Sequence, residues 1–183
     1  TISSIRECLI CNNIGKHFGL KFSLHLKVDT GMSRLGFEYN RFAQQFEKIK
    51  SFENISIEGI YSHLSSADEY DSLDPESTTQ IQRQKFQELL KEIKVDRKHN
   101  IKIHLANSAG MLINKDFHFH MVRVGLSMYG YSPLAKIDKN LSLKPALFLK
   151  AKVAFIRIID KGVGVSYGRK FVSIRKTKLA VLS

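Results

Sequence analysis

No stretch of the 183 residues approaches the ~18 uncharged residues that a membrane-spanning helix requires, and the start lacks the basic residues and apolar run of a secretory leader. Both absences point to a cytoplasmic protein without a membrane partner. Cysteine is almost missing. Cys8 and Cys11 have the C-x-x-C spacing of a redox pair or half a zinc site, but they fall inside the helix-like stretch 3–18 and no second pair exists. They read as free thiols in a reducing compartment. Acidic residues are also scarce, 17 against 29 Lys and Arg, for a net charge of +12. Residues 136–183 carry 12 of the basic residues and only Asp138 and Asp160 of the acidic ones, so the first 135 residues are nearly neutral. The basic residues of the tail interleave with apolar ones, as in Leu149-Lys150-Ala151-Lys152-Val153, the pattern of a strand's solvent face. With no stacking-aromatic motif beside them, they read as a solvated face or a surface awaiting an acidic partner, not a nucleic-acid surface. His118 and His120 form the one tight histidine pair; lacking a nearby third ligand, they read as surface, and no metal is expected.

What is present is a soluble globular pattern, 43% apolar and 25% charged, long enough for one domain or one domain plus part of another. The chain starts without Met and closes on the apolar run 179–183, which reads as the middle of a strand, so both ends are expected to be cuts. Short apolar strands alternate with amphipathic helices. Leu24, Leu26 and Val28 alternate into Asp29-Thr30-Gly31, and 57–63, 101–107 and 121–126 are three further strand-like runs. Tyr39, Phe42, Phe46 and Ile49, then Phe86, Leu89, Leu90 and Ile93, recur at helical spacing. Asp74-Pro75-Glu76 is the expected start of the second helix.

Alternating strands and helices imply a parallel sheet, doubly wound or closed into a barrel. No Gly-rich nucleotide fingerprint follows a strand, which disfavours the Rossmann version. Lys27, Asp29, His63, Asn107, Ser108, Arg123 and Gly125 all fall at or just beyond carboxyl ends of strands, the rim where barrel sites are built. After Tyr131-Ser132-Pro133 the character changes, and from Pro145 the chain is β-rich without a convincing helix. The expected fold is therefore α/β, part of a (β/α)8 TIM-type barrel over 1–135 followed by the first strands of a β domain over 136–183.

At Lys27-Val-Asp-Thr-Gly-Met-Ser-Arg-Leu-Gly36 the sequence resembles the signature of alanine racemases, pyridoxal-phosphate enzymes of barrel-plus-β-domain architecture. The resemblance continues in order through Tyr61-Ser-His-Leu-Ser-Ser-Ala-Asp-Glu69, His104-Leu-Ala-Asn-Ser-Ala109, Val122-Arg-Val-Gly125 with Tyr129-Gly130, and Gly164-Val-Ser-Tyr-Gly-Arg169. Five matches in order over 27–169 are far more specific than any one of them.

The residue types suit the implied chemistry. A phosphate needs hydroxyl and backbone donors near a helix start, which Asn107, Ser108 and the Gly125 amide would supply, although Asn-Ser also reads simply as a helix cap. An arginine inside an apolar strand needs a partner; by the resemblance Arg123 meets the cofactor's pyridine nitrogen and leaves it unprotonated, restraining the electron sink. His63 would stand between Arg123 and the phenol of Tyr167, or is a satisfied core histidine. The resemblance makes Tyr167 an acid-base catalyst reaching the cofactor of the other subunit, where a phenol, normally titrating near ~10, needs cationic neighbours. Lys27, carbamylated, would hold Arg34 near the substrate carboxylate beside Met32, and Asp68 would line the entrance.

The cofactor's Schiff-base lysine has no counterpart: the 26 residues before Lys27 contain only Lys16 and Lys21, neither in strand context. Two expectations follow. One is an alanine racemase, interconverting L- and D-alanine for peptidoglycan, truncated and acting as a homodimer or with a complementary N-terminal fragment. The other is a catalytically inactive remnant that persists as a pyridoxal-phosphate or protein-interaction module. A cofactor-homeostasis barrel of the same superfamily would need neither the Val-Ser-Tyr-Gly turn nor the β-rich extension.

Overall fold

A computed structural model describes residues 1–95, 100–135 and 142–183. The chain divides into two units, Thr1–Ala146 and Leu147–Ser183. The boundary expected after residue 135 falls beside 136–141, outside the described residues.

The first unit starts with α1 (Ile5–Phe18), whose entry is a capping box: the Ser4 hydroxyl accepts from the Glu7 amide at 3.3 Å and the Glu7 carboxylate accepts from the Ser4 amide at 3.0 Å. Gly19, in the left-handed region at φ 66°, ends it. Then come β1 (Phe22–Asp29), the two-residue β2 (Phe37–Glu38), α2 (Tyr39–Lys50), β3 (Ile55–Tyr61), α3 (Thr78–Glu92), β4 (Lys102–His104) and α4 (Ser108–Ile113). The strands form one sheet in the order β2-β1-β3-β4, every pair parallel. Parallel neighbours require helical crossovers, and the helices supply the apolar face that covers the sheet. Phe42, Phe46 and Ile49 of α2 and Phe86 and Leu89 of α3 are buried in one cluster with Leu24, Leu26 and Val28 of β1 and Ile60 of β3.

Three expectations need correction. The run 121–126 is not a strand. Only Met121 bridges His104, and although the His120 and Arg123 amides donate to the Ile103 and Ala106 carbonyls, the ladder stops at Gly125, whose backbone (φ −114°, ψ −94°) turns away into a 3-10 turn over Leu126–Tyr129. The second helix starts at Thr78 instead of at Asp74-Pro75-Glu76, because the Ser77 hydroxyl accepts from the Gln80 amide and caps it; residues 74–77 form a turn closed by the Ser77 amide on the Asp74 carbonyl. His118 is half-buried instead of at the surface, its Nε2 meeting the Met111 carbonyl at 2.9 Å, while His120 is exposed as expected and its Nδ1 accepts from the Ile103 amide at 3.0 Å.

Cys8 and Cys11 are free, both on α1, and burial pushes the Cys8 thiol up to about 12, away from the reactive thiolate form.

The second unit contains β5 (Val153–Ile159) paired antiparallel with β8 (Thr177–Leu182), and β6 (Gly164–Val165) paired antiparallel with β7 (Phe171–Val172). The 3-10 turn Tyr167–Arg169 links β6 to β7. Residues 149–152, expected on a strand face, precede β5 and have no regular structure.

Candidate active site

The sheet register builds the site. Lys27 of β1 lies beside Tyr61 of β3, Tyr61 beside His104 of β4, and His104 beside Met121, one row of side chains across four neighbouring segments near the strands' carboxyl ends. His25, two residues before Lys27, shares its face. With Arg34, His63 and Arg123 these residues line a cleft of about 400 Å³. A larger recess, about 870 Å³, opens at the other end of the sheet between Phe46, Ile49, Ile55, Ile93 and Ile101. None of the candidate residues lines it, so its size does not make it the reactive site.

Arg123 is the centre of the cleft. Its Nη1 reaches Nδ1 of His104 at 2.6 Å, and its Nη2 reaches the carbonyl oxygens of Ser62 at 2.7 Å and Leu105 at 3.1 Å and Nδ1 of His63 at 3.0 Å. The guanidinium carbon lies 4.7 Å from the centre of the Tyr61 ring, a cation-π distance. These partners are neutral, and no carboxylate pairs with Arg123 among the described residues. Lys27 is buried, and desolvation, helped by Arg34 and Arg123, holds its pKa below the usual lysine range while Asp29 opposes the shift. Asp29 is itself committed, accepting from the Gly31 and Ser33 amides at 3.0 Å each. The cleft therefore carries uncompensated positive charge and suits an anion. Burial first, then Arg123, pushes His63 down to about 4 and His104 down to about 3, so both rings are neutral near pH 7.

Beside this row, Ser108 Oγ accepts from the amides of Gly125 at 2.8 Å and Ser127 at 3.4 Å, while the buried Ser127 hydroxyl has no partner. This gathers two amides around the Ser108 hydroxyl. Asn107 is spent on the fold: its Oδ1 accepts from the Gly110 amide to cap α4, and its Nδ2 donates to the Leu64 carbonyl. The cap reading of Asn-Ser thus applies to Asn107.

Met32 is half-buried in the loop after β1, Arg34 is exposed at the cleft's edge, and Asp68 is exposed on the turn after His63. Tyr167 belongs to the second unit and is fully exposed, after Ser166 in the left-handed region at φ 58°.

Sequence reasoning passed over three residues. His25 alternates with Lys27 at period 2, and His104 opens a quoted motif; either signal could have marked them. Gln82 sits at i, i+4 and i+7 with Phe86 and Leu89, a polar residue on a buried stripe. It accepts from the Ser65 amide at 2.8 Å and donates to the His63 carbonyl at 3.0 Å and to Thr30 Oγ1 at 3.4 Å, tying the loop after β1 to the loop after β3.

The parallel α/β sheet agrees with what known proteins show. Residues 1–133 match the family "Alanine racemase, N-terminal domain". This chain belongs to that family. It is similar over its whole length to the alanine racemases of Prochlorococcus marinus, 44% identical, and of Synechocystis sp., 38% identical, and spans 47% and 48% of their lengths. Among solved structures, an alanine racemase of Clostridium difficile superposes with a TM-score of 0.73 at 31% identity, covering 99% of this chain and 47% of its own. An alanine racemase from Bartonella henselae, solved with covalently bound pyridoxal phosphate, gives 0.70 at 28% identity, with 99% and 47% covered. The chain thus spans about half the length of the relatives it matches, and the parallel α/β sheet of the first unit fits the barrel domain of the family.

Proposed function

We propose that residues 1–183 form the cofactor-binding portion of an alanine racemase, a pyridoxal-phosphate isomerase that interconverts L- and D-alanine in the cytoplasm. In this reading the parallel sheet belongs to the C-terminal half of an eight-stranded barrel, and 136–183 begin the β domain. The observation that carries it is Arg123, a donor-only cation held by neutral groups and facing an anion-seeking cleft.

The donor cluster of Ser108, Gly125 and Ser127, with its unpartnered Ser127 hydroxyl, fits a phosphate, and Asn107 fixes the α4 start from which Ser108 projects. Arg123 would hold the pyridine side of the cofactor and, staying charged, would disfavour a proton on the ring nitrogen. The cofactor supplies the electron sink that makes the substrate's Cα–H acidic. Lys27, carbamylated, holds Arg34 near the substrate carboxylate, with Met32 beside them. His63, neutral, accepts from Arg123 on one nitrogen and passes that orientation to the phenol of Tyr167, which comes from a second subunit and moves the proton on one face of Cα. Asp68 borders the entrance. The second catalytic group, the Schiff-base lysine, has no counterpart here, so turnover is proposed for an assembly that includes one.

A second reading, a pyridoxal-phosphate or protein-interaction module without turnover, is favoured by one observation: the two lysines before Lys27, Lys16 and Lys21, are both exposed and outside the cleft. One experiment separates the readings. Pyridoxal phosphate is titrated into the protein while its absorbance is followed, and optical rotation is then recorded with L- or D-alanine against a Tyr167→Phe control. Cofactor binding that Arg123→Met weakens by tenfold or more, on the order of one lost charge-assisted hydrogen bond, supports the site. Racemisation above the control, alone or with an added N-terminal fragment that carries a cofactor lysine, supports the enzyme; binding without racemisation in either case supports the cofactor module; a folded protein that binds no cofactor overturns both of these and leaves only the protein-interaction module.

A further inference from the structure

Arg123 can only donate, so its contacts dictate where the protons of its neighbours sit. Nδ1 of His104 and Nδ1 of His63 both face guanidinium N–H groups, at 2.6 and 3.0 Å, and must each present a lone pair. Each neutral ring then carries its proton on Nε2. For His104 that proton points at Nδ1 of His25, 2.9 Å away, which must in turn be bare. One cation thereby sets the tautomers of three imidazoles. The second ring fits because of Gly59, which pairs with His25 in the β1–β3 register: a side chain there would fall on the His25 imidazole. Tyr61 closes the other side, its ring stacked on His104 at 4.7 Å with planes 9° apart. The charged groups around the pair include Arg123 and Lys27 toward the cleft, and the Thr1 amino group and Glu58 beside His25.

We propose that His104, backed by His25, is a strut of two neutral imidazoles that holds the Arg123 guanidinium in the cleft, making both histidines positioning residues of the site. A carboxylate in the same place would neutralise the arginine. An imidazole lone pair orients it and leaves its charge for whatever anion binds. The catalytic consequence rests on the racemase reading, but the strut itself does not.

The test uses the protein with 15N-labelled histidine, with no cofactor added. A 15N–15N coupling through the hydrogen bond is expected between Nε2 of His104 and Nδ1 of His25, with Nδ1 of His104 and of His63 both unprotonated at pH 7. In His104→Leu the guanidinium protons of Arg123 should exchange about tenfold faster or more, the scale of one hydrogen bond to a charged group. His104→Gln, whose amide oxygen can accept, should restore much of that protection, which a purely space-filling role would not predict. Gly59→Ala should abolish the coupling while His104 keeps its bare Nδ1. A proton on Nδ1 of His104, a folded wild type without the coupling, or His104→Leu exchange equal to wild type overturns the proposal. If these signatures appear in a protein that binds no pyridoxal phosphate, the racemase reading fails and the strut stands.

Discussion

The two units are held together by different forces. In Thr1–Ala146 a single apolar cluster is closed over by helices, and the cleft residues project from strand ends that this cluster fixes. In Leu147–Ser183 the β5–β8 ladder is largely bare: Phe155 is 59% exposed and Ile158 60%, and Ile159 is the one buried apolar residue among those described. That unit relies on backbone pairing and on Ser173. A site needing sub-ångström placement, such as the ring of contacts around Arg123, is built where packing over-determines the backbone. Tyr167, proposed to act across a subunit boundary, lies where it does not.

The largest expected effect tests that contrast directly. Phe86 is fully buried on α3 and meets Phe119 edge-on at 5.6 Å. Phe86→Ala should destabilise the first unit by about 3–5 kcal/mol. Ile156→Ala on β5, where the side chain is half exposed, should cost under about 1 kcal/mol. Denaturant titrations of the two variants compare them, and equal losses would mean that the β5–β8 face is covered in solution.

Next comes pH. His63 and His104 are pushed down to about 4 and about 3, whereas in the unfolded chain each titrates near ~6.5. Between those limits the unfolded state binds protons that the native state refuses, so stability falls as pH drops from about 6.5 toward 4. Each buried ring contributes on the order of 1.4 kcal/mol per pH unit across that window, less for the half-buried His63. Thermal melts at pH 7, 6 and 5 should show the loss, and His104→Gln should remove a good part of it. A pH-independent melting temperature for the first unit would show that these rings titrate normally.

Gln82→Leu follows. Its volume is similar, but the part-buried bonds to the Ser65 amide and the His63 carbonyl are lost, at a cost of about 1 kcal/mol or more. Gln82→Glu keeps the acceptor for Ser65 and sets a carboxylate against the His63 carbonyl, so it should not rescue. Rescue by Glu would show that the tie to His63 carries little.

The helical faces of Phe42, Phe46 and Ile49 and of Phe86 and Leu89 were legible because burial follows a local period, and so was the rim placement of Lys27 and His63, since strand ends are marked by where the apolar alternation stops. The strand expected over 121–126 reduced to one bridge because a ladder depends on the partner's register and on the Gly125 turn, neither of which its own alternation encodes. His25 and His104 are 79 residues apart in sequence, and nothing local announces that they touch. Ser77 displaced Asp74 as the cap for a related reason: several residues in that stretch can accept, and the turn over 74–77 decides which one faces the helix. Family motifs suggested the roles proposed for Arg123 and Tyr167, which physics alone left open.

The smallest effect probes what holds the second unit instead of a core. Ser173 is its one buried polar side chain among the described residues; the hydroxyl donates to the Asp160 carbonyl at 2.5 Å and accepts from the Val163 amide at 3.1 Å. The Gly162 amide donates to the Ser173 carbonyl at 2.7 Å and the Ser173 amide to the Val163 carbonyl at 3.0 Å, so one residue closes the turn between β5 and β6 from both its side chain and its backbone. Gly162, at φ 86°, supplies the left-handed step that this turn needs. Ser173→Ala removes the side-chain links, keeps the backbone ones, and should cost about 1 kcal/mol, felt locally. Hydrogen exchange should quicken several-fold at the Gly162, Val163 and Ser173 amides and stay unchanged at buried amides of β1 and β3. Acceleration that spread into β1 and β3 would mean that the two units unfold together, and the contrast between a packed site and a hydrogen-bonded ladder would fail.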